Sequence, residues 1–211
     1  MLINEVVVVS PYQQNCRILS GDGHHALICD PGDEAERILA TCRELSLVPV
    51  AILLTHAHLD HCAAAAELSR LAQIKIIGPG AGDDFLLQNL QAQAAMLSLP
   101  VTEALHPQYV SDGELIEYAG LRLQVISTPG HTPGGVSYYC QSENFVLCGD
   151  TLFYGSVGRT DFPGGNTEQL LHSLTARLYA LPAQCRALCG HGPDTTIGFE
   201  KSNNPYTLSW S

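Results

Sequence analysis

The sequence predicts a mixed α/β domain in which packed sheets are covered by helices. Three observations carry this. Strand-length apolar runs alternate with helix-spaced segments through roughly the first half of the chain. After Pro100, short strand-like runs follow one another with few helices between them. The 211 residues, 45% of them hydrophobic, suffice for one well-cored domain over residues 1–211 and fall short of two. The order is not a clean alternation of strand and helix, which disfavours a simple doubly wound sheet.

In chain order, Ile3 to Val9 and Asn15 to Leu19 read as strands, with Gly21-Asp22-Gly23 as a turn. His25 to Cys29 is a third strand, closed by the turn Asp30-Pro31-Gly32. Ala35, Ile38, Leu39, Cys42 and Leu45 have helical spacing within Glu34 to Ser46. The run VPVAILLT is apolar throughout, as in a strand buried on both faces. A helix near Cys62–Leu71, the strand IKIIG and a helix near Asp83–Leu97 follow. Then come the strands LIEY, LRLQVIST, GVSYYC and NFVLCGD, a helix near Thr167–Tyr179 and a last strand near Arg186–Cys189.

A formal net charge of -11 repels nucleic acid and anionic membranes, so neither is an expected partner. A small anionic substrate stays possible, because bound metal reverses the local sign. The start, MLINEVVVVS, has no basic region or cleavage site of a secretory signal, and the apolar runs are too short to span a membrane. Eight cysteines are present, mostly inside apolar runs such as ALIC and FVLC and never as CxxC. They read as reduced core thiols, and the expected compartment is the cytoplasm.

The sharpest local signal is His56-Ala57-His58-Leu59-Asp60-His61, directly after the strand AILLT. The end of a strand is where α/β sheets tend to place their sites. His56 and His58, two apart, point the same way on extended backbone. Asp60 and His61 are adjacent at a helix start and diverge. Two pairs aimed differently fit two metal ions better than one. Singly, Asp60 would be an N-cap and each histidine an ordinary surface or core residue. Three histidines and an aspartate within six residues favour metal.

Three more candidates each follow an apolar strand-like run and sit beside glycine: His131 in TPGHTPGG, Asp150 in LCGD and His191 in CGHG. Strand-end placement brings them to one edge of the sheets, with the alternative for each being a turn aspartate or loop histidine. A reasonable partition gives one ion His56, His58 and His131, the other Asp60, His61 and His191, with Asp150 bridging. Imidazole and carboxylate donors suit two divalent ions, with zinc expected and iron or manganese as alternatives. His24, His25, His106 and His172 read as structural or solvent-facing.

HxHxDH at 56–61, then GHTPGG, GDTLF and CGHG in this order, resemble the metallo-β-lactamase superfamily over nearly the whole chain. That resemblance implies a four-layer αββα sandwich with the metals at one edge of two sheets. GDTLF followed by GRTDFPGG, with the ending Glu200 to Asn204-Pro205, resembles the small bacterial glyoxalase II-like branch. The best-known β-lactamases of the fold place a cysteine among the ligands; the seven positions here are His and Asp, which argues against antibiotic hydrolysis. Two-domain glyoxalase II holds glutathione with a helical C-terminal domain; roughly twenty residues follow His191 here, so no such domain is expected.

The resemblance implies thioester hydrolysis, with S-lactoylglutathione the leading small-molecule substrate and a metal-bridging hydroxide as nucleophile. Asp60 would double as ligand and proton acceptor. Arg159 is a candidate contact for an anionic substrate group, set against a plain Arg159–Asp161 pair that stiffens its loop. The rival is a mono-iron persulfide dioxygenase of the same fold, whose ligands here would be His56, His131 and Asp150.

Overall fold

The protein, described as a computed structural model, is defined over residues 1–97 and 103–209, and the short strands expected after Pro100 are present from Leu115 onward. The first half runs β1 (Ile3–Val9), β2 (Gln14–Ser20), β3 (His25–Cys29), α1 (Ala35–Glu44), β4 (Val48–Leu53), α2 (Leu59–Cys62), α3 (Ala65–Ala72) and β5 (Lys75–Ile77). Two short helices follow, α4 (Asp84–Leu87) and α5 (Leu90–Leu97). The second half runs β6 (Leu115–Tyr118), β7 (Leu121–Ser127), β8 (Val136–Cys140), β9 (Phe145–Gly149), the hairpin β10 (Leu152–Phe153) and β11 (Ser156–Val157), and α6 (Thr167–His172). It closes with β12 (Arg186–Cys189), β13 (Thr195–Thr196), α7 (Ile197–Asn203) and α8 (Pro205–Leu208).

One sheet has the order β1-β2-β3-β4-β5 and the other β13-β12-β9-β8-β7-β6. The period-2 alternation of strand side chains divides the core into three layers. Ile18, Ala26, Ile28 and Ile52 face Ile38 and Cys42 of α1 and Leu68 of α3. Their neighbours Leu19, Leu27, Cys29 and Leu53 face the second sheet, meeting Leu123, Val125, Tyr138 and Leu147. On the far side, Val146, Cys148 and Ala187 meet Leu170, Leu174 and Ile197. Helix, sheet, sheet and helix are thus stacked, the αββα order that the resemblance implies. All eight cysteines are free and buried. No helix among the described residues is long and apolar enough to cross a membrane.

Three elements differ from expectation. The helix expected over 83–97 is broken into a 3-10 turn at Ala81–Asp83, α4 and α5. Asn89 at the break donates to Phe85 O at 2.7 Å, a side-chain bond that competes with helix continuation. The helix expected over 167–179 passes into a π-helical turn at Ser173–Arg177, where Ser173 Oγ is held by Pro129 O at 2.7 Å. β4 is buried only from Ala51 onward; Val48 at its start lies in solvent at the sheet rim.

Strand direction aims the site. β3 and β4 run parallel, as do β9 and β12. β7 is antiparallel to β8 and β8 to β9, so β7 points the same way as β9. The carboxyl ends of β3, β4, β7, β9 and β12 carry Asp30, residues 56–61, His131, Asp150 and His191.

Candidate metal centre

The structure brings all seven expected side chains together. Donor atoms of His56, His58 and His131 lie within 4.8 Å of one another, and so do those of Asp60, His61 and His191. Asp150 stands between the groups: Oδ1 is 3.3 Å from His61 Nε2, and Oδ2 is 3.7 Å from His131 Nε2 and 3.6 Å from His191 Nε2. Asp60 is not the N-cap of α2. It is the second residue of that helix, and its Oδ2 lies 3.3 Å from His191 Nε2.

Hydrogen bonds decide which ring nitrogen each histidine presents. A carbonyl only accepts, so His131 Nδ1, 2.7 Å from Arg159 O, carries the proton and leaves Nε2 free. His191 Nδ1 is held likewise by Tyr12 O at 3.0 Å. His61 Nδ1 faces Asp30 Oδ2 at 3.1 Å. Thr55 Oγ1 donates to Asp30 Oδ2 at 2.7 Å, so it accepts from His56 Nδ1 at 3.0 Å. Four rings therefore aim Nε2 inward. His58 instead presents Nδ1, 2.9 Å from His131 Nε2.

The inward atoms fit cations. His56 Nε2 and Asp150 Oδ1 are buried with no hydrogen-bond partner, an arrangement that costs free energy unless an ion takes their lone pairs. His61 Nε2 and His191 Nε2 face each other at 3.2 Å, which calls for a proton or a cation between them. Glycine keeps the space open. A Cβ on Gly190 would strike Asp150 Oδ1 and His61 Cε1, and one on Gly158 would strike Asp150 O.

The two groups differ electrostatically. Burial and the His131 ring push His58 down to about 3. His56 also lies far below the usual imidazole range, through burial and then His61 and His131. In the second group burial lowers His61, but Asp150 and Asp60 outweigh it and hold the ring well above that range. His191 is raised in the same balance, by Asp60 and Asp150 against burial. Burial raises Asp150 and Asp60, but the facing imidazoles win and keep both carboxyls below their usual range.

Four supporting groups escaped the sequence reading. Asp30, read only as a turn residue, accepts from Thr55 N and Thr55 Oγ1 at 2.7 Å each and holds His61. Its signal was available: it ends a strand beside β4, the pattern used for His131 and Asp150. Asp83 is fully buried and accepts from Ala57 N at 2.9 Å, Thr132 Oγ1 at 2.9 Å and Gly134 N at 2.6 Å, tying the 56–61 loop to the 131 loop. Gln93 of α5 accepts from Leu59 N at 3.0 Å and donates to Ala57 O at 3.2 Å. Tyr12 contributes only its carbonyl to His191. No sequence pattern marks the last three.

Arg159 makes the expected pair with Asp161 and also lines the cavity over the donor cluster. Its Nε and Nη2 donate to Asp161 at 2.7 and 2.6 Å, and its guanidinium lies 3.9 Å over the Phe162 ring. Its carbonyl orients His131.

The metallo-beta-lactamase superfamily model matches residues 9–191. The chain is 39% identical over 209 residues to the hydroxyacylglutathione hydrolase GloC of Haemophilus influenzae, covering 98% of this chain and 99% of that protein. Among solved structures, the BLEG-1 B3 metallo-beta-lactamase has a TM-score of 0.90 at 34% identity, over 97% of this chain and 99% of that one. TTHA1623 in a di-iron-bound form has a TM-score of 0.84 at 38% identity, over 96% and 99%. ETHE1 from Myxococcus xanthus has a TM-score of 0.80 at 28% identity, over 96% and 83%. Fold, motif order and these likenesses agree: the chain belongs to the metallo-β-lactamase superfamily.

Proposed function

We propose that the protein is a cytoplasmic thioester hydrolase that uses two divalent ions, zinc by preference and iron or manganese as alternatives, with S-lactoylglutathione as the leading substrate. The partner is this small molecule, with no nucleic acid and no membrane. The observation that carries the reading is the pair of donor groups bridged by Asp150. The 39% identity to a hydroxyacylglutathione hydrolase supports the substrate class.

His56, His58 and His131 would hold one ion and Asp60, His61 and His191 the other, with Asp150 shared. When bound, such ions polarise a carbonyl and lower the pKa of water to about 7. The chain's own residues do the rest. Asp60 lines the cavity with its carboxyl held ionised, and would take the proton that a water molecule gives up as the water oxygen bonds to the carbonyl carbon. The C–S bond breaks and the thiol leaves as thiolate, since a thiol pKa near about 8.5 needs little help from an acid. Asp30 and the Arg159 and Tyr12 carbonyls keep the imidazoles in register throughout.

The rival, a mono-iron persulfide dioxygenase of the same fold, would use His56, His131 and Asp150. The complete second group, Asp60, His61 and His191, favours hydrolysis. In the test, His58→Ala and Asp150→Ala lose S-lactoylglutathione turnover and metal while circular dichroism shows a folded domain. Turnover by either variant at the wild-type rate would overturn the assignment.

A further inference from the structure

A cavity of about 700 Å³ opens from the donor cluster, within the size range of small-molecule sites. Its floor holds His58, Asp60, His131, Asp150 and His191. Its walls are apolar: Phe85, Met96 and Leu97 from the α4–α5 side, Phe153 and Phe162 from the β10–β11 side and the loop after it. Met96 is 68% exposed and Phe85 36% exposed. Single exposed hydrophobes are ordinary, but these are continuous with a cavity that ends on the donor cluster.

Three polar side chains in the same walls are already engaged in hydrogen bonds. Gln93 spends its amide on Leu59 N, Ala57 O and Leu86 O, which also clamps α5 to the donor loop. Tyr12 Oη donates to Leu97 O at 2.9 Å and Asn89 Nδ2 to Phe85 O at 2.7 Å. Among the described lining residues, Arg159 is the one Lys or Arg, and Asp161 already takes its guanidinium in a two-point pair. A carrier with carboxylates finds no free cation here, whereas an alkyl chain finds a wall of matching chemistry.

We propose that this cavity is an acyl subsite that refines the S-lactoylglutathione reading: among glutathione thioesters it favours apolar, medium-chain acyl groups, larger and less polar than lactoyl. The proposal rests on the thioesterase reading above and specifies the acyl half of its substrate. Met96, a 68% exposed residue of the apolar wall, is a specificity-determining residue, because it shapes the cavity without supplying a ligand or a polar side chain to it.

The test is kcat/KM of the metal-loaded enzyme on glutathione thioesters carrying acetyl, lactoyl, butanoyl, hexanoyl and octanoyl groups. Burying methylenes predicts a rise of about two- to fourfold for each one added. Met96→Ser should flatten that rise several-fold, and Met96→Leu should restore it. In parallel, octanoate should compete for the site more tightly than acetate by a similar gradient. Both carry one carboxylate, so the difference reads the chain alone. Hydrolysis with no gradient, or with lactoyl preferred over hexanoyl and octanoyl, would overturn the subsite and leave the thioesterase reading standing. No thioester hydrolysis, with octanoate still favoured and sensitive to Met96→Ser, would overturn the thioesterase reading and leave the apolar subsite. Failure of both gradients would end both.

Discussion

The two donor groups face each other across Asp150 and are built to opposite electrical rules. His56, His58 and His131 form an all-imidazole set, in which burial and mutual repulsion keep the His56 and His58 rings uncharged at neutral pH. Asp60, His61 and His191 include a carboxylate and lie against Asp150, and these charges hold protons on His61 and His191. His56 and His58 are therefore ready as neutral donors, while His61 and His191 must give up protons before a cation enters. Their supports differ as well. His131 rests on a backbone carbonyl, whereas His61 rests on the buried Asp30 carboxylate.

The largest effect expected is on Asp30. Asp30→Asn weakens the acceptor behind His61 directly and behind His56 only through Thr55. Loss of such an outer partner typically costs about 10- to 100-fold in metal affinity. The weaker of two metal-binding steps, followed by calorimetry, should fall by that amount and the other by less. An equal fall in both would erase the distinction between the groups.

A smaller effect is expected from pH, with opposite signs for the two groups. A histidine with a lowered folded pKa stabilises above its unfolded pKa, and that contribution is lost as pH falls. For His58 the window runs from about 6.5 down to about 3. A raised histidine does the reverse: His61 and His191 contribute below an unfolded pKa of about 6.5, and the contribution is lost as pH rises through their folded values. Each histidine follows a limiting slope of about 1.4 kcal/mol per pH unit inside its window. Melting of metal-free protein should show His58→Ala softening the loss of stability on acidification and His191→Ala softening the loss on alkalinisation. The same sign for both variants would refute the opposition.

The smallest effect is expected at Arg159. Its side chain is an exposed partner of Asp161, and the carbonyl that orients His131 survives substitution. Arg159→Ala should leave melting temperature and metal content unchanged. Loss of metal would show that the side chain, and not the backbone, steadies the first group.

Much of the first group and of the 56–61 stretch was legible in the sequence, because ligands cluster where a strand ends and the pattern is local. His131, Asp150 and His191 were legible by the same rule applied three more times. Asp83 and Gln93 were not, because their work is to bond backbone groups of distant loops, and any buried polar residue looks alike before folding. The hairpin β10–β11 and strand β13 are two residues long each, below the length at which alternation can be read. The break between α4 and α5 depends on one side-chain bond of Asn89, which periodicity does not register. Strand order was likewise invisible, since period 2 assigns faces and not neighbours.

The proposed centre has seven side chains holding two ions. Elemental analysis of freshly purified protein, with oxygen uptake followed on glutathione persulfide, tests it most directly. Two equivalents of metal per chain and no oxygen consumption are predicted. One equivalent of iron with oxygen consumed would contradict it.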